Sequence, residues 1–185
     1  RNQIHQSLMS GLCEIRQSVL SQTIIIILDR RGTQIDKYLD GTFEVKNIAL
    51  SGRSSTSYTA DKEYGELIAG MKKGDFLLVG FGHNDEKGRA EDINPNGDYK
   101  PAGSFANSLY ENYIKPAQAA GTTVVLCTPI VRRTADGNWS DSQLHVTAAS
   151  GEFEGGSYPQ AIINLGKDLN VPVVDMTSLT KKLYD

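Results

Sequence analysis

The chain has 185 residues, 39% of them apolar and 22% charged, which suits one globular domain with a sizeable core. Its 19 basic and 22 acidic side chains leave a net charge of −3 without a Lys/Arg cluster, so there is no electrostatic footprint of a nucleic-acid binder. The longest apolar run, Ile24 to Leu28, is far too short for a membrane span.

Residues 1–22 are mixed, with weak helical character, no amphipathic stripe and no charged-then-apolar signal segment. From there strands and helices alternate. Thr23 to Leu28 is rich in β-branched residues and predicts a strand. Gln34 to Leu39 predicts a short helix, and Phe43 to Leu50 a second strand. Asp61 to Lys72 predicts a helix with Tyr64, Leu67, Ile68 and Met71 on one face, closed by Gly74. Asp75 to Gly80 is the third strand. Ser104 to Ala120 predicts a helix with Phe105, Leu109, Tyr113 and Ala117 on its apolar face, a kink or an early end at Pro116 and a stop at Gly121. Thr122 to Cys127 is the fourth strand. Tyr158 to Leu169 predicts a helix with Pro159 in its first turn, Val171 to Asp175 a fifth strand, and Thr177 to Tyr184 a last helix.

This alternation implies a parallel sheet with helices on both faces, joined by right-handed crossovers into a three-layer α/β/α sandwich. The expectation is a single domain over 1–185 without internal repeats. Two polar stretches, 85–103 and 132–157, are longer than most connections and follow carboxyl strand ends, where long loops are usually functional. Of the two cysteines, Cys127 falls in a strand and reads as a core residue; no Cys/His spacing resembles a zinc site.

Two turns carry the chemistry. The third strand ends in Phe81-Gly82-His83-Asn84-Asp85, and the second is followed by Leu50-Ser51-Gly52-Arg53-Ser54-Ser55. In open α/β sheets, ligands bind at the carboxyl ends of the strands. A turn glycine at 52 offers a backbone N–H, and Asn84 offers an amide N–H. Two donors aimed at one point stabilise the oxyanion of an acyl-transfer intermediate. Taken singly, Gly52 also fits an ordinary turn and Asn84 an ordinary strand-end cap.

The segments Asn47 to Ser55 and Gly80 to Asp85 resemble the second and third conserved blocks of the SGNH (GDSL-type) hydrolases, in the rhamnogalacturonan acetylesterase-like branch. Lys73-Gly74-Asp75, the Tyr158-Pro159-Gln160-Ala161 helix start and Val171-Pro172-Val173-Val174-Asp175 also match, so the resemblance covers roughly residues 33 to 185. It implies a flavodoxin-like fold and a Ser-His-Asp hydrolase that removes acetyl groups from plant cell-wall polysaccharides such as pectin and xylan, outside the cell, with no metal or organic cofactor. It further implies that Gly52 and Asn84 belong to the oxyanion hole, and that Asp29, Arg53, Ser54, His83 and Asp85 support the site. His83 is then a supporting group of the block-three turn and not the serine's base.

The chain departs from that pattern where the family places its Gly-Asp-Ser nucleophile turn. After the first strand it reads Leu28-Asp29-Arg30-Arg31-Gly32. Asp29 matches the middle position, but Arg30 stands where the serine belongs, and a guanidinium cannot be deprotonated to attack a carbonyl. The family's Asp-x-x-His does not appear before Asp185, and Asp141 and His145 have the wrong spacing to replace it. The expectation is therefore a domain cut short before that segment and nearly inert toward acetyl esters. The alternative is a pseudo-enzyme that keeps the oxyanion pocket and binds an acetylated glycan or another partner. A nucleotide-binding role lacks its glycine-rich phosphate loop after the first strand. Ser54 and Ser55 have no evident base, and Tyr99, Trp139 and Tyr158 fit either sugar stacking or packing.

Overall fold

The computed structural model describes residues 22–28, 35, 37–39, 41–87, 94–131 and 156–184. The strands are β1 (Gln22–Ile27), β2 (Phe43–Asn47), β3 (Phe76–Val79), β4 (Thr123–Cys127) and β5 (Val173–Val174). All pairings are parallel, in the order β2-β1-β3-β4-β5. The alternation gave a parallel sheet; this order is flavodoxin-like, as the resemblance implies. β1 is central and buried from Thr23 to Ile27, as a strand covered on both faces must be.

The strand order reverses at β1. The connection from β1 to β2 runs one way across the sheet, and every later one runs the other way. Right-handed crossovers then place the helices after β2, β3 and β4 on one face. These are α1 (Lys62–Gly70), α2 (Phe105–Leu109) continued by a π turn (Tyr110–Ile114) into α3 (Lys115–Ala120), and α4 (Tyr158–Leu169). Leu67, Phe105, Leu109, Tyr113, Ile114, Ala117, Ile162 and Leu165 accordingly share one buried core with Ile25, Ile27, Leu77, Val79 and Leu126 of the sheet. Ile24 and Ile26 are also buried, on the alternate side of β1. The last helix, α5 (Met176–Tyr184), is pinned to the end of β4: Thr177 N–H donates to Thr128 Oγ1 at 2.9 Å and the Thr177 hydroxyl to the Pro129 carbonyl at 2.5 Å.

Several elements are shorter than the sequence predicts. β2 ends at Asn47, not Leu50, because the Asn47 side chain accepts from Ala49 N–H at 3.0 Å and turns the chain out of the ladder. β5 spans two residues of the expected 171–175; Pro172 has no N–H to give, although its carbonyl still accepts from Leu126 N–H at 2.9 Å. α1 ends at Gly70, before a turn through Gly74, and Ile68 is 39% exposed, not part of the core face.

The helix predicted over 104–120 starts as read, with Ser104 capping Asn107 N–H at 2.9 Å, and stops at left-handed Gly121. Its middle is the π turn, which the periodicity did not predict. Pro116 cannot donate to the Asn112 carbonyl four residues back, and the Tyr64 hydroxyl donates to that carbonyl at 3.0 Å instead. Residues 1–21, most of 34–36 and the loop 132–155 lie outside the described residues.

Candidate active site

The turns after β2 and β3 meet at the carboxyl edge of the sheet, on either side of the end of β1. The buried carboxylate of Asp85 fastens them together. It accepts from Ser55 N–H at 2.9 Å, the Ser55 hydroxyl at 2.7 Å and Gly82 N–H at 2.9 Å. Ser55 Oγ also lies 2.8 Å from Ser108 Oγ of α2. The Tyr113 hydroxyl donates to the Ser55 carbonyl at 2.6 Å, and that of Tyr158 to the Asp85 carbonyl at 3.2 Å. The Asp85 side chain thus joins the two turns, and Ser108, Tyr113 and Tyr158 tie them to three helical segments. Burial pushes the Asp85 carboxyl above its ordinary value, opposed by the bonds from Ser55 and Gly82.

Asn84 is held at both ends of its amide. Nδ2 donates to the Arg53 carbonyl at 3.1 Å, and Oδ1 accepts from Lys87 Nζ at 2.9 Å. Its amide nitrogen therefore lies beside the residue that follows Gly52. Gly52 has φ +80°, a left-handed conformation that favours glycine, and a Cβ placed there would meet open space. Its N–H makes no hydrogen bond among the described residues. A primary amide has two N–H bonds, so Asn84 keeps one beyond the bond to Arg53. Gly52 and Asn84 thus lie on neighbouring turns at the carboxyl edge of the sheet.

The exposed Arg53 guanidinium pairs with Asp61 through Nε and Nη2, which ties the block-two turn to the start of α1. That hydrogen bond raises Arg53 and lowers Asp61 from their ordinary values. Ser54 and Ser57 exchange hydrogen bonds, Ser54 N–H to Ser57 Oγ at 2.9 Å and Ser57 N–H to Ser54 Oγ at 3.0 Å. Ser55 is fully buried, and the half-buried Ser54 hydroxyl is engaged by Ser57 Oγ at 3.1 Å. His83 is half-buried in the block-three turn. Tyr158 is buried edge-to-face against Phe105, with centroids 5.0 Å apart, which removes it from sugar stacking. Tyr99 is partly buried; Trp139, Asp29 and Arg30 lie outside the described residues. The sequence did not reveal Ser108 and Tyr113 as parts of the Asp85 network. Tyr113 was legible only as an apolar-face residue, and Ser108 carried no signal.

A parallel 2-1-3-4-5 sheet with these two turns at its carboxyl edge is the framework of an SGNH-type hydrolase. No family model matches the sequence. The chain is 32% identical over 141 residues to the rhamnogalacturonan acetylesterase RhgT of Bacillus subtilis (strain 168), covering 76% of this chain and 53% of the relative. It is 38% identical over 42 residues, 23% of this chain and 17% of the relative, to the rhamnogalacturonan acetylesterase of Emericella nidulans. The crystal structure of the protein YxiM from Bacillus subtilis superposes with a TM-score of 0.66 at 19% identity, covering 90% of this chain and 46% of that one. The chain thus spans about half the length of RhgT, and less of the Emericella relative. The relatives and the fold support an SGNH hydrolase, rhamnogalacturonan acetylesterase-like.

Proposed function

We propose that this chain carries the oxyanion-binding half of a carbohydrate O-acetylesterase site, and that its substrate is acetylated rhamnogalacturonan. The observation that carries the reading is the Gly52 N–H, which has no partner among the described residues, on the turn whose Arg53 carbonyl accepts from the Asn84 amide, itself oriented by Arg53 and Lys87. An acetyl carbonyl seated there receives the Gly52 N–H and the second Asn84 N–H. Both bonds strengthen as the oxygen gains charge, and one such donor is worth about 10²–10³ in rate in an acyl-transfer enzyme. Asp85 acts through the turns, fixing the separation of the two donors. The names of the relatives support rhamnogalacturonan as the backbone.

Arg30, at the nucleophile's position in the sequence, favours a second reading in which the chain binds the acetyl ester without turning it over. Two measurements on the purified chain separate the possibilities. Acetylated rhamnogalacturonan oligosaccharides are expected to bind more tightly than their saponified forms, and Asn84→Ala removes that preference. Equal binding of the two forms refutes the oxyanion assignment. Acetate release is expected to be negligible. Turnover in the ordinary enzyme range of about 1–10³ per second establishes the esterase and refutes the placement of the nucleophile at residue 30.

A further inference from the structure

The block-three turn runs on into one turn of 3-10 helix, Asp85–Lys87. Lys87 N–H donates to the Asn84 carbonyl at 3.3 Å, and in 3-10 geometry side chains three residues apart eclipse one another. The chain therefore returns Lys87 over Asn84, and its Nζ donates to Asn84 Oδ1 at 2.9 Å. From the other end of the same amide, Nδ2 donates to the Arg53 carbonyl at 3.1 Å. A reversed amide would set Oδ1 against a carbonyl oxygen and an NH₂ group against an ammonium. Both bonds thus select the same orientation.

Folding stability does not call for a lysine at this position. Lys87 is exposed and Asn84 half-buried, and substitutions at the surface usually change stability little. The effect on the amide is of another kind. Its nitrogen and oxygen are conjugated, so a cation on Oδ1 draws electron density from Nδ2 and makes both Nδ2 hydrogens more positive. Hydrogen bonds linked through one group strengthen each other in this way, and a charged donor polarises more than a neutral one. One Nδ2 hydrogen meets the Arg53 carbonyl, and the second is the one an acetyl oxygen would take.

We propose that Lys87 is a positioning residue that acts through Asn84. Its ammonium holds and polarises the amide, so that the second Nδ2 hydrogen binds a carbonyl oxygen more tightly, and gains most when that oxygen carries negative charge. Lys87 does not touch the ligand in this role; two hydrogen bonds and one amide group separate it from the acetyl oxygen. The ligand role of Asn84 rests on the esterase reading above, whereas the coupling of Lys87 to Asn84 rests on the geometry of the turn.

Two measurements on the purified whole chain test the proposal. The first is the Asn84 side-chain amide in a nitrogen-edited NMR spectrum, assigned by its loss in Asn84→Ala. Lys87→Met keeps an unbranched side chain and removes the charge, and is expected to shift the Nδ2 proton resonances upfield. Lys87→Arg is expected to hold them near their wild-type positions. The second is the ratio of affinities for acetylated and saponified rhamnogalacturonan oligosaccharides, which cancels any general effect of charge on an anionic chain. Lys87→Met is expected to lower that ratio by about threefold, and Lys87→Arg to retain it. In an Asn84→Ala background Lys87→Met is expected to add no further loss. Unmoved Asn84 resonances, or a loss that persists in the Asn84→Ala background, each overturns the proposal. A wild-type chain without acetyl preference overturns the esterase reading and this proposal with it. A preference that is present but unmoved by Lys87→Met overturns this proposal alone.

Discussion

Truncating Asp85 to alanine tests whether one buried carboxylate holds the two turns in register. The side chain is 5% exposed and accepts three hydrogen bonds, two from backbone N–H groups of the opposing turns. A methyl group leaves Ser55 N–H and Gly82 N–H without their acceptor, while the Ser55 hydroxyl retains Ser108 as a partner. Each orphaned buried donor costs about 1–3 kcal/mol, so the expected loss is about 2–6 kcal/mol. In a chain of this size that lowers the melting midpoint by roughly 5–20 °C.

Asp85→Asn keeps the shape and an acceptor for Ser55 but sets an NH₂ group against Gly82 N–H, for about half that cost. The pair also reads the charge. Burial raises the Asp85 carboxyl, so the native state keeps its proton after the unfolded chain loses its own near the ordinary value of about 3.9. Between that value and the folded one the native state binds more protons. The contribution is therefore fully present below about pH 3.9 and is lost as pH rises through the folded value. Urea denaturation across a pH series is expected to show wild type losing stability relative to Asp85→Asn as pH rises from about 4. An alanine variant within about 0.5 kcal/mol of wild type refutes the fastening role. A wild-type stability that rises relative to Asp85→Asn over the same range shows that the hydrogen bonds outweigh burial.

Tyr64→Phe removes the donor to Asn112 O and is expected to cost about 1 kcal/mol; the cost shrinks in a Pro116→Ala background, which restores a backbone donor, and zero coupling in a thermal double-mutant cycle counts against this account of the π turn. Gly166→Ala is expected to destabilise by about 1–3 kcal/mol despite alanine's better helix propensity. Its Cβ would sit 2.8 Å from the Val171 carbonyl and against Val173 Cγ2, so a neutral or stabilising result in chemical denaturation contradicts the packing of α4 on β5. Burial pushes the Cys127 thiol up to about 11, so in a Cys13→Ser background at pH 8 it is expected to react with an aromatic disulfide reagent only as fast as the chain unfolds; rapid stoichiometric labelling of that native variant contradicts its burial.

The parallel sheet, the strand at Ile24 to Ile27 and the residues that bury α2 and α3 were legible in the sequence. Ile24 to Ile27 form an uninterrupted β-branched run, and Phe105, Leu109, Tyr113 and Ala117 keep a helical period, so local pattern and burial agree. Gly52, Asn84 and Asp85 were also legible as the polar turns that follow strands. Their placement on one edge comes from parallel pairing, which sends every strand's carboxyl end the same way. What periodicity could not supply depended on partners far away in the chain. Ile68 has the helical spacing of a core residue, but whether a helical position is covered depends on the element beyond it, and there it is exposed. The π turn depends on Pro116 meeting a hydroxyl from α1, 52 residues earlier than the proline. The Asp85 network joins residues from 55 to 158 through hydrogen bonds whose donors and acceptors are set only once the helices have docked. Hydrophobic pattern is a local property of the chain and decides which face of each element turns inward. The pairing of buried polar groups is a property of the assembled fold, because each must find its partner among whatever packing brings within about 3 Å.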